Sequence, residues 1–242
     1  MKPLALVISC EHAVNTVPEA YRHLFPTDML LVKTHQAIDF GAAEQAEHVA
    51  AITHSDYFAA TISRLLIDCN RSLTHKHCFS AWTKHLPPSE KANLIQHYYQ
   101  PFRQSVIQCI EQYIALGKHV LHLSIHSFTP ILHGITRQAD IGLLYDPKRI
   151  NEKTLAYHLR KLLIKNASYR VRMNYPYRGT SDGFTQTLRN TYSREHYSGL
   201  EIENNQASLV QLNTQQTLTH AITQSLLGVL YQFRACNELE FE

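Results

Sequence analysis

His119–Pro130, HVLHLSIHSFTP, is the stretch whose reading decides the fold. Val120, Leu121, Leu123 and Ile125 supply β-prone apolar bulk, and the run stops at a polar segment closed by Pro130, the pattern of a buried strand in an α/β sheet. His126 then stands where that strand ends. Open α/β sheets bind ligands in the crevice outside the carboxyl ends of their strands, so a histidine followed closely by Ser127 and Thr129 is placed there for chemistry. The plainer alternative is a histidine that caps the strand and hydrogen-bonds a neighbouring loop.

The flanking sequence supplies partners for such a strand. Leu4–Ser9 (LALVIS) reads as a first buried strand that delivers Cys10, Glu11 and His12 to the loop beyond it. Ile38–Thr53 has helical spacing, with Ala42, Ala46, Val49 and Ala50 on one side and Asp39 at its start. Thr61–Cys69 (TISRLLIDC) reads as a second strand feeding Asn70 and Arg71, and the irregular, His- and Lys-rich Leu73–Pro88 that follows is placed to act as a lid. Ser89–Leu116 predicts a long helix or helix pair, capped by Ser89, broken or kinked at Pro101 and closed by Gly117. Further on, Asp140–Tyr145, Tyr169–Met173 and Gly199–Glu203 read as strands. The helices between and after them are one capped by Asn151 that runs to about Lys165, a short Thr185–Arg194, and a final Asn213–Arg234. Strands and helices alternate without a linker of biased composition, which predicts a single α/β domain over residues 1–242 with a largely parallel sheet.

Composition narrows the function classes. Hydrophobic residues at 44%, charged residues at 18% and a net charge of +3 describe an ordinary globular chain. Its 23 Lys and Arg are dispersed, which argues against a nucleic-acid partner. No window approaches a membrane span, and the N-terminal apolar run is too short for a signal peptide, so no membrane partner is expected. Five cysteines without CxxC spacing argue against a disulfide framework and against a cysteine zinc knuckle, and a reducing cytoplasm is the simplest compartment. There is no GxxxxGK[ST] loop, GxGxxG turn, GxSxG elbow or HExxH motif.

Four places put chemically competent side chains beyond a strand: Glu11 with His12, Asp68 with Asn70 and Arg71, His126 with Ser127, and Glu201 with Glu203. Two neutral histidines and a carboxylate, with one position left open, make a catalytic zinc site. His12 and His126 are the nitrogen donors, and either Asp39 or Glu11 supplies the oxygen. Asp39 has the alternative of a helix N-terminal acid, and Arg64 and Arg71 the alternative of surface ion pairs. Glu201, flanked by Leu200 and Ile202, is an acid that burial would make costly unless partnered, which suits a general base.

Seven blocks in order, SCEHAVNTVP (Ser9–Pro18), DFGA (Asp39–Ala42), SRLLIDCNR (Ser63–Arg71), IHSFTPILHG (Ile125–Gly134), RQADIGLLYD (Arg137–Asp146), NYPYRG (Asn174–Gly179) and LEIENNQ (Leu200–Gln206), resemble the N-formylglutamate amidohydrolase family, in its broader EHA/HSFTP branch. The resemblance implies a three-layer α/β/α sandwich with a mostly parallel mixed sheet, similar to zinc carboxypeptidases and aminoacylases. It also implies hydrolysis of the amide bond of an N-acyl amino acid, a small-molecule substrate. Matched residue by residue, it assigns His12, Asp39 and His126 to zinc, with Glu11 as the competing carboxylate, and Glu201 to the base. Arg71, with Asn70, Arg64, Arg137, Arg178 and Ser127, would hold the substrate. Where that branch usually carries an arginine and an aspartate, this chain has Glu203 and Gln206, which bears on the substrate more than on the reaction type.

Overall fold

The computed structural model describes residues 2–26 and 28–238. A six-stranded sheet in the order β2-β1-β3-β8-β6-β7 forms its middle layer. β1 is Leu4–Cys10, β2 Asp56–Ala59, β3 His119–Phe128, β6 Ile141–Leu144, β7 Val171–Met173 and β8 Tyr197–Asn205; β4 (Ile131–Leu132) and β5 (Ile135–Thr136) form a separate small hairpin. β2, β1, β3 and β8 run parallel, whereas β6 is antiparallel to β8 and carries β7 parallel to itself. The mixed, mostly parallel α/β architecture is therefore as expected.

Two helical layers cover the sheet, whose central strands are buried on both faces, one largely apolar and the other apolar mainly towards its amino-terminal end at Val7, Val120 and Tyr197. On one side lie α1 (Ala42–Thr53), α4 (Ile150–Ala167) and α6 (Leu212–Glu238), closing a core of Ile8, Leu121, Leu123, Ile125, Leu200 and Ile202. On the other lie α3 (Gln100–Ala115) and α5 (Phe184–Thr191), with α2 (Pro88–Leu94) leading into them, over Val7, Val120, Val106, Ile110 and Phe184. None of the helices among the described residues is long and apolar enough to cross a membrane.

Several local expectations need correction. Thr61–Cys69 is not a strand; the strand is the preceding Asp56–Ala59. Ile62, Leu65, Leu66 and Ile67 are buried, but in a folded loop whose polar groups are met outside any ladder: Thr83 Oγ1 donates to the Leu66 carbonyl at 2.7 Å and Ser63 Oγ to that of Ala37 at 3.1 Å. A short apolar run marks burial without specifying backbone shape. α1 starts at Ala42 after Gly41 at φ +73°, so Asp39 precedes the helix instead of belonging to it. Pro87 and not Ser89 precedes α2, with Pro88 at the first helical position, and Arg149 rather than Asn151 precedes α4. Pro101 does not break its helix. Ile95–Tyr99 widens into a π turn just before it, a common accommodation where the backbone ladder lacks a donor. Within Leu73–Pro88, the Cys78 carbonyl accepts from the Asp68 N–H at 2.8 Å and Cys78 is fully buried.

Candidate active site

β3 does not end at His126 but continues to Phe128, and its side chains alternate. Leu121, Leu123 and Ile125 enter the core beneath α1, α4 and α6, so His122, Ser124 and His126 share the opposite face. β8 repeats the pattern, with Leu200 and Ile202 inward and Glu201 and Glu203 outward. Register joins the rows: Ser9 pairs with Ser124, Ser124 with Glu201, and His126 with Glu203. Towards the carboxyl ends of three parallel strands, one sheet face thus turns polar and becomes the floor of a crevice of about 430 Å³.

His12, Asp39 and His126 meet on that floor. His12 lies two residues past β1, and the Asp39 N–H donates to its carbonyl at 3.1 Å, which brings the pre-helical loop alongside. One ligating atom from each residue lies within 4.8 Å of the others, and all three residues are buried. Asp39 Oδ2 is 3.2 Å from His12 Nδ1 and 2.9 Å from His126 Nδ1.

The outer hydrogen bonds assign the ring protons. His12 Nε2 is 2.7 Å from Asp68 Oδ1, and an ionised carboxylate only accepts, so Nε2 carries the hydrogen. Ser124 gives its one hydroxyl hydrogen to Glu11 Oε2 at 2.6 Å; its oxygen therefore accepts from His126 Nε2 at 2.8 Å. In the neutral rings both Nδ1 atoms then present lone pairs towards the Asp39 carboxylate, with Arg64 donating to that of His12. Two imidazoles and one carboxylate so disposed suit zinc or a similar divalent ion among them. In the metal-free protein, protons take that place. Burial disfavours charged rings, yet the pKa of His126 is held well above the ordinary histidine value by Asp39 and Glu11, and that of His12 is raised by Asp68 and Asp39 against burial and Arg64. Asp39 itself, buried but facing Arg64 and both histidines, stays well below the usual carboxylate range.

Glu11 stands behind this cluster, on the far side of His126 from Asp39. Its Oε1 accepts from Ser9 Oγ at 2.7 Å and its Oε2 lies 3.2 Å from His126 Nε2. With its hydrogen committed to Glu11, Ser9 accepts from His122 Nε2 at 2.8 Å, and Tyr197 Oη donates to His122 Nδ1 at 2.9 Å. Burial pushes the His122 pKa down to about 4, so that ring is neutral. Although burial opposes its ionisation, His126, His122 and Ser124 hold the Glu11 carboxyl far below its ordinary value. Donors from both sides of the floor thus converge on one carboxylate, and they fix which nitrogen His126 presents.

The remaining sequence-predicted residues divide. Glu201, Asn70, Arg71, Arg178 and Ser127 line the crevice, and so does Arg64. Thr185 Oγ1 donates a hydrogen bond to Glu201 Oε1. Arg64 is engaged by the candidate ligands, pairing with Asp39 Oδ1 at 2.8 Å and donating to His12 Nδ1 at 3.0 Å, and it donates to the Gln36 carbonyl at 3.1 Å. Arg71 donates to the Asp182 carbonyl, and Asn70 Oδ1 accepts from the Phe184 N–H at 2.8 Å. Ser127 Oγ donates to the Phe40 carbonyl at 2.8 Å. Arg137 lies outside the lining, stacked over Phe128 and Tyr177. From Leu73–Pro88 only His75 reaches the lining.

Sequence reasoning misses the roles of Asp68, Ser124, His122 and Thr185. Period-two alternation of His122, Ser124 and His126 with Leu121, Leu123 and Ile125 is the available signal for two of them; Asp68 stands among the candidates beside Asn70 and Arg71 but without a sign of its pairing with His12, and Thr185 carries no signal. The lining as a whole holds five carboxylates, Asp39, Asp68, Asp182, Glu201 and Glu203, against the guanidinium groups of Arg64, Arg71 and Arg178.

The sequence profile described as N-formylglutamate amidohydrolase matches residues 4–210. The chain is similar to the crystal structure of gene product Atu2144 from Agrobacterium tumefaciens, with TM-score 0.82, 27% identity, and coverage of 95% of this chain and 91% of that one. It shares its fold with N-formylglutamate amidohydrolase from Ralstonia eutropha JMP134, with TM-score 0.74, 20% identity, and coverage of 97% and 96%. No curated protein matches. With most of its length matched by one profile, and with that fold, the chain belongs to the N-formylglutamate amidohydrolase family.

Proposed function

We propose that the chain hydrolyses the amide bond of an N-acyl amino acid of the N-formylglutamate type, with zinc held by His12, Asp39 and His126 and with Glu201 as general base. The observation that supports this reading is the convergence of one possible ligand atom each from His12, Asp39 and His126, within 4.8 Å of one another, in the crevice that Glu201 also lines. Bound there, a divalent ion supplies Lewis acidity, bringing the pKa of water towards about 7 and polarising a carbonyl.

The side chains divide the rest of the work. Thr185 holds Glu201 Oε1 and so orients the carboxylate, leaving Oε2 to take a proton from the attacking water and pass it to the departing amine. Asp68 and the Ser124–Glu11 pair keep the two imidazoles in the tautomer that turns Nδ1 inward. Arg71 and Arg178, with Asn70, are the groups to grip a substrate carboxylate, since the guanidinium fork matches it with two parallel hydrogen bonds. Arg64, already bound to Asp39, steadies the ligand cluster. The unpaired thiols of Cys10, Cys69, Cys78 and Cys109 suit a reducing compartment such as the cytoplasm; the Cys236 side chain lies outside the described residues.

Two measurements test the reading. Glu201→Gln should retain zinc and lose hydrolysis of N-formyl amino acids by about 10²- to 10⁴-fold; an unchanged rate removes Glu201 as base. Elemental analysis of His12→Ala, Asp39→Ala and His126→Ala should give substoichiometric zinc, and full occupancy in all three refutes the site.

A further inference from the structure

Glu203 takes no part in the chemistry above, yet it lines the crevice. It is 5% exposed, and its Oε2 is buried without a hydrogen-bond partner. Register sets it beside His126 on β3 and opposite Gly142 on β6. The missing side chain at Gly142 leaves it room, since a Cβ there would stand 3.3 Å from the Glu203 Cβ. The charged and titratable groups that act on it are His126, Asp39, Glu201, His12 and Arg64. Arg64 is the guanidinium among them, and it is already engaged by Asp39, His12 and two carbonyls. A buried carboxyl oxygen with no donor is costly, and such groups persist where a ligand completes them.

We infer that Glu203 is a specificity-determining residue that receives the cationic end of a substrate side chain, so that the preferred substrates are N-acyl derivatives of basic amino acids. This rests on the amidohydrolase reading. A basic side chain brings both a donor and a positive charge to that Glu203 oxygen, whereas the second carboxylate of an N-acylated dicarboxylic acid brings neither. At about 430 Å³ the crevice is large enough for an extended side chain.

The test has two arms on the zinc-loaded protein. In the first, kcat/KM is compared for the N-formyl derivatives of lysine, arginine, glutamine and glutamate, in wild type and Glu203→Gln. The basic derivatives should lead glutamate by about ten- to a hundredfold, the scale of one charged hydrogen bond, and Glu203→Gln should erase most of that lead. In the second, free lysine, arginine and glutamate are titrated calorimetrically into Glu201→Gln, where the basic amino acids should bind more tightly. A glutamate preference in both arms, or a basic preference that Glu203→Gln leaves unchanged, overturns the role of Glu203. No hydrolysis of any derivative, with basic amino acids still bound preferentially, overturns the amidohydrolase reading and retains Glu203 as the cation-recognising group. Should Glu203→Gln fail to fold, the wild-type kinetic ranking with the Glu201→Gln binding ranking decides: basic ahead supports the assignment, glutamate ahead overturns it.

Discussion

Asp68→Asn isolates the outer partner of His12 while nearly preserving its shape. In the wild type, Asp68 Oδ1 accepts from His12 Nε2 at 2.7 Å and from the Asn70 N–H at 2.9 Å. Although burial opposes the charged form, His12 and the neighbouring Arg64 and Arg71 hold the carboxyl at about 2, against an ordinary 3.8. That difference corresponds to on the order of 2 kcal/mol of folding stability at pH 7 in the metal-free protein. Because the folded pKa is depressed, the contribution is fully present above the unfolded value near 3.8 and is lost as pH falls through about 2. Two effects follow. Urea unfolding of metal-free Asp68→Asn at pH 7 should reveal a loss of about 2 kcal/mol that shrinks as the pH is lowered from about 4 towards 2. Zinc affinity, read by competition with a chromophoric chelator, should fall by about 10- to 100-fold, since the neutral amide orients and polarises His12 less well. A variant that matches wild type within twofold in zinc affinity and has the same stability at pH 7 would refute the tautomer assignment at His12.

Other sites yield sharper structural outcomes. Glu11→Gln replaces an acceptor shared by Ser9 and Ser124 with a group that also donates, and should cost about 3 kcal/mol or more by urea unfolding while weakening zinc binding at His126. Arg189→Met leaves Glu152 buried without its partner across a 3.0 Å ion pair, so a loss of about 3–5 kcal/mol is expected; Glu152→Met with Arg189→Met together should recover much of it in the same assay. Gly142→Ala would set a Cβ 1.8 Å from the Tyr175 carbonyl oxygen. It should displace the loop that carries Tyr177 and Arg178, and a crystal structure with that loop unmoved would contradict the packing described.

How much of this was legible beforehand depends on the kind of signal. β1, β3 and β8 announced themselves through β-prone apolar residues, continuous in β1 and alternating in β3 and β8, and the succession of strands and amphipathic helices pointed to the α/β class. The same logic misplaced β2, because Thr61–Cys69 is as apolar as a strand and is buried for a different reason. Helix starts shifted where backbone geometry decided, at Gly41 with its positive φ and at Pro88. At the candidate site, His12, Asp39 and His126 do meet, whereas Arg137 stacks outside the lining and Arg64 pairs with the Asp39 carboxylate.

Local pattern, then, determined the layer architecture and the chemical types beyond each strand, because periodicity and polarity are written residue by residue. Seven ordered blocks determined the family. Tertiary structure alone decided the partnerships: Asp68 against His12, Thr185 against Glu201, Glu11 behind His126, and Glu203 left without a donor. The physical reason is that these contacts join segments far apart in the chain, and their geometry comes from strand register and loop packing, which no local run of residues encodes. His126 illustrates both parts. The stretch HVLHLSIHSFTP placed it on a buried strand, and its neighbours in space decided that its Nδ1 faces Asp39 while its Nε2 is held by Ser124 and Glu11.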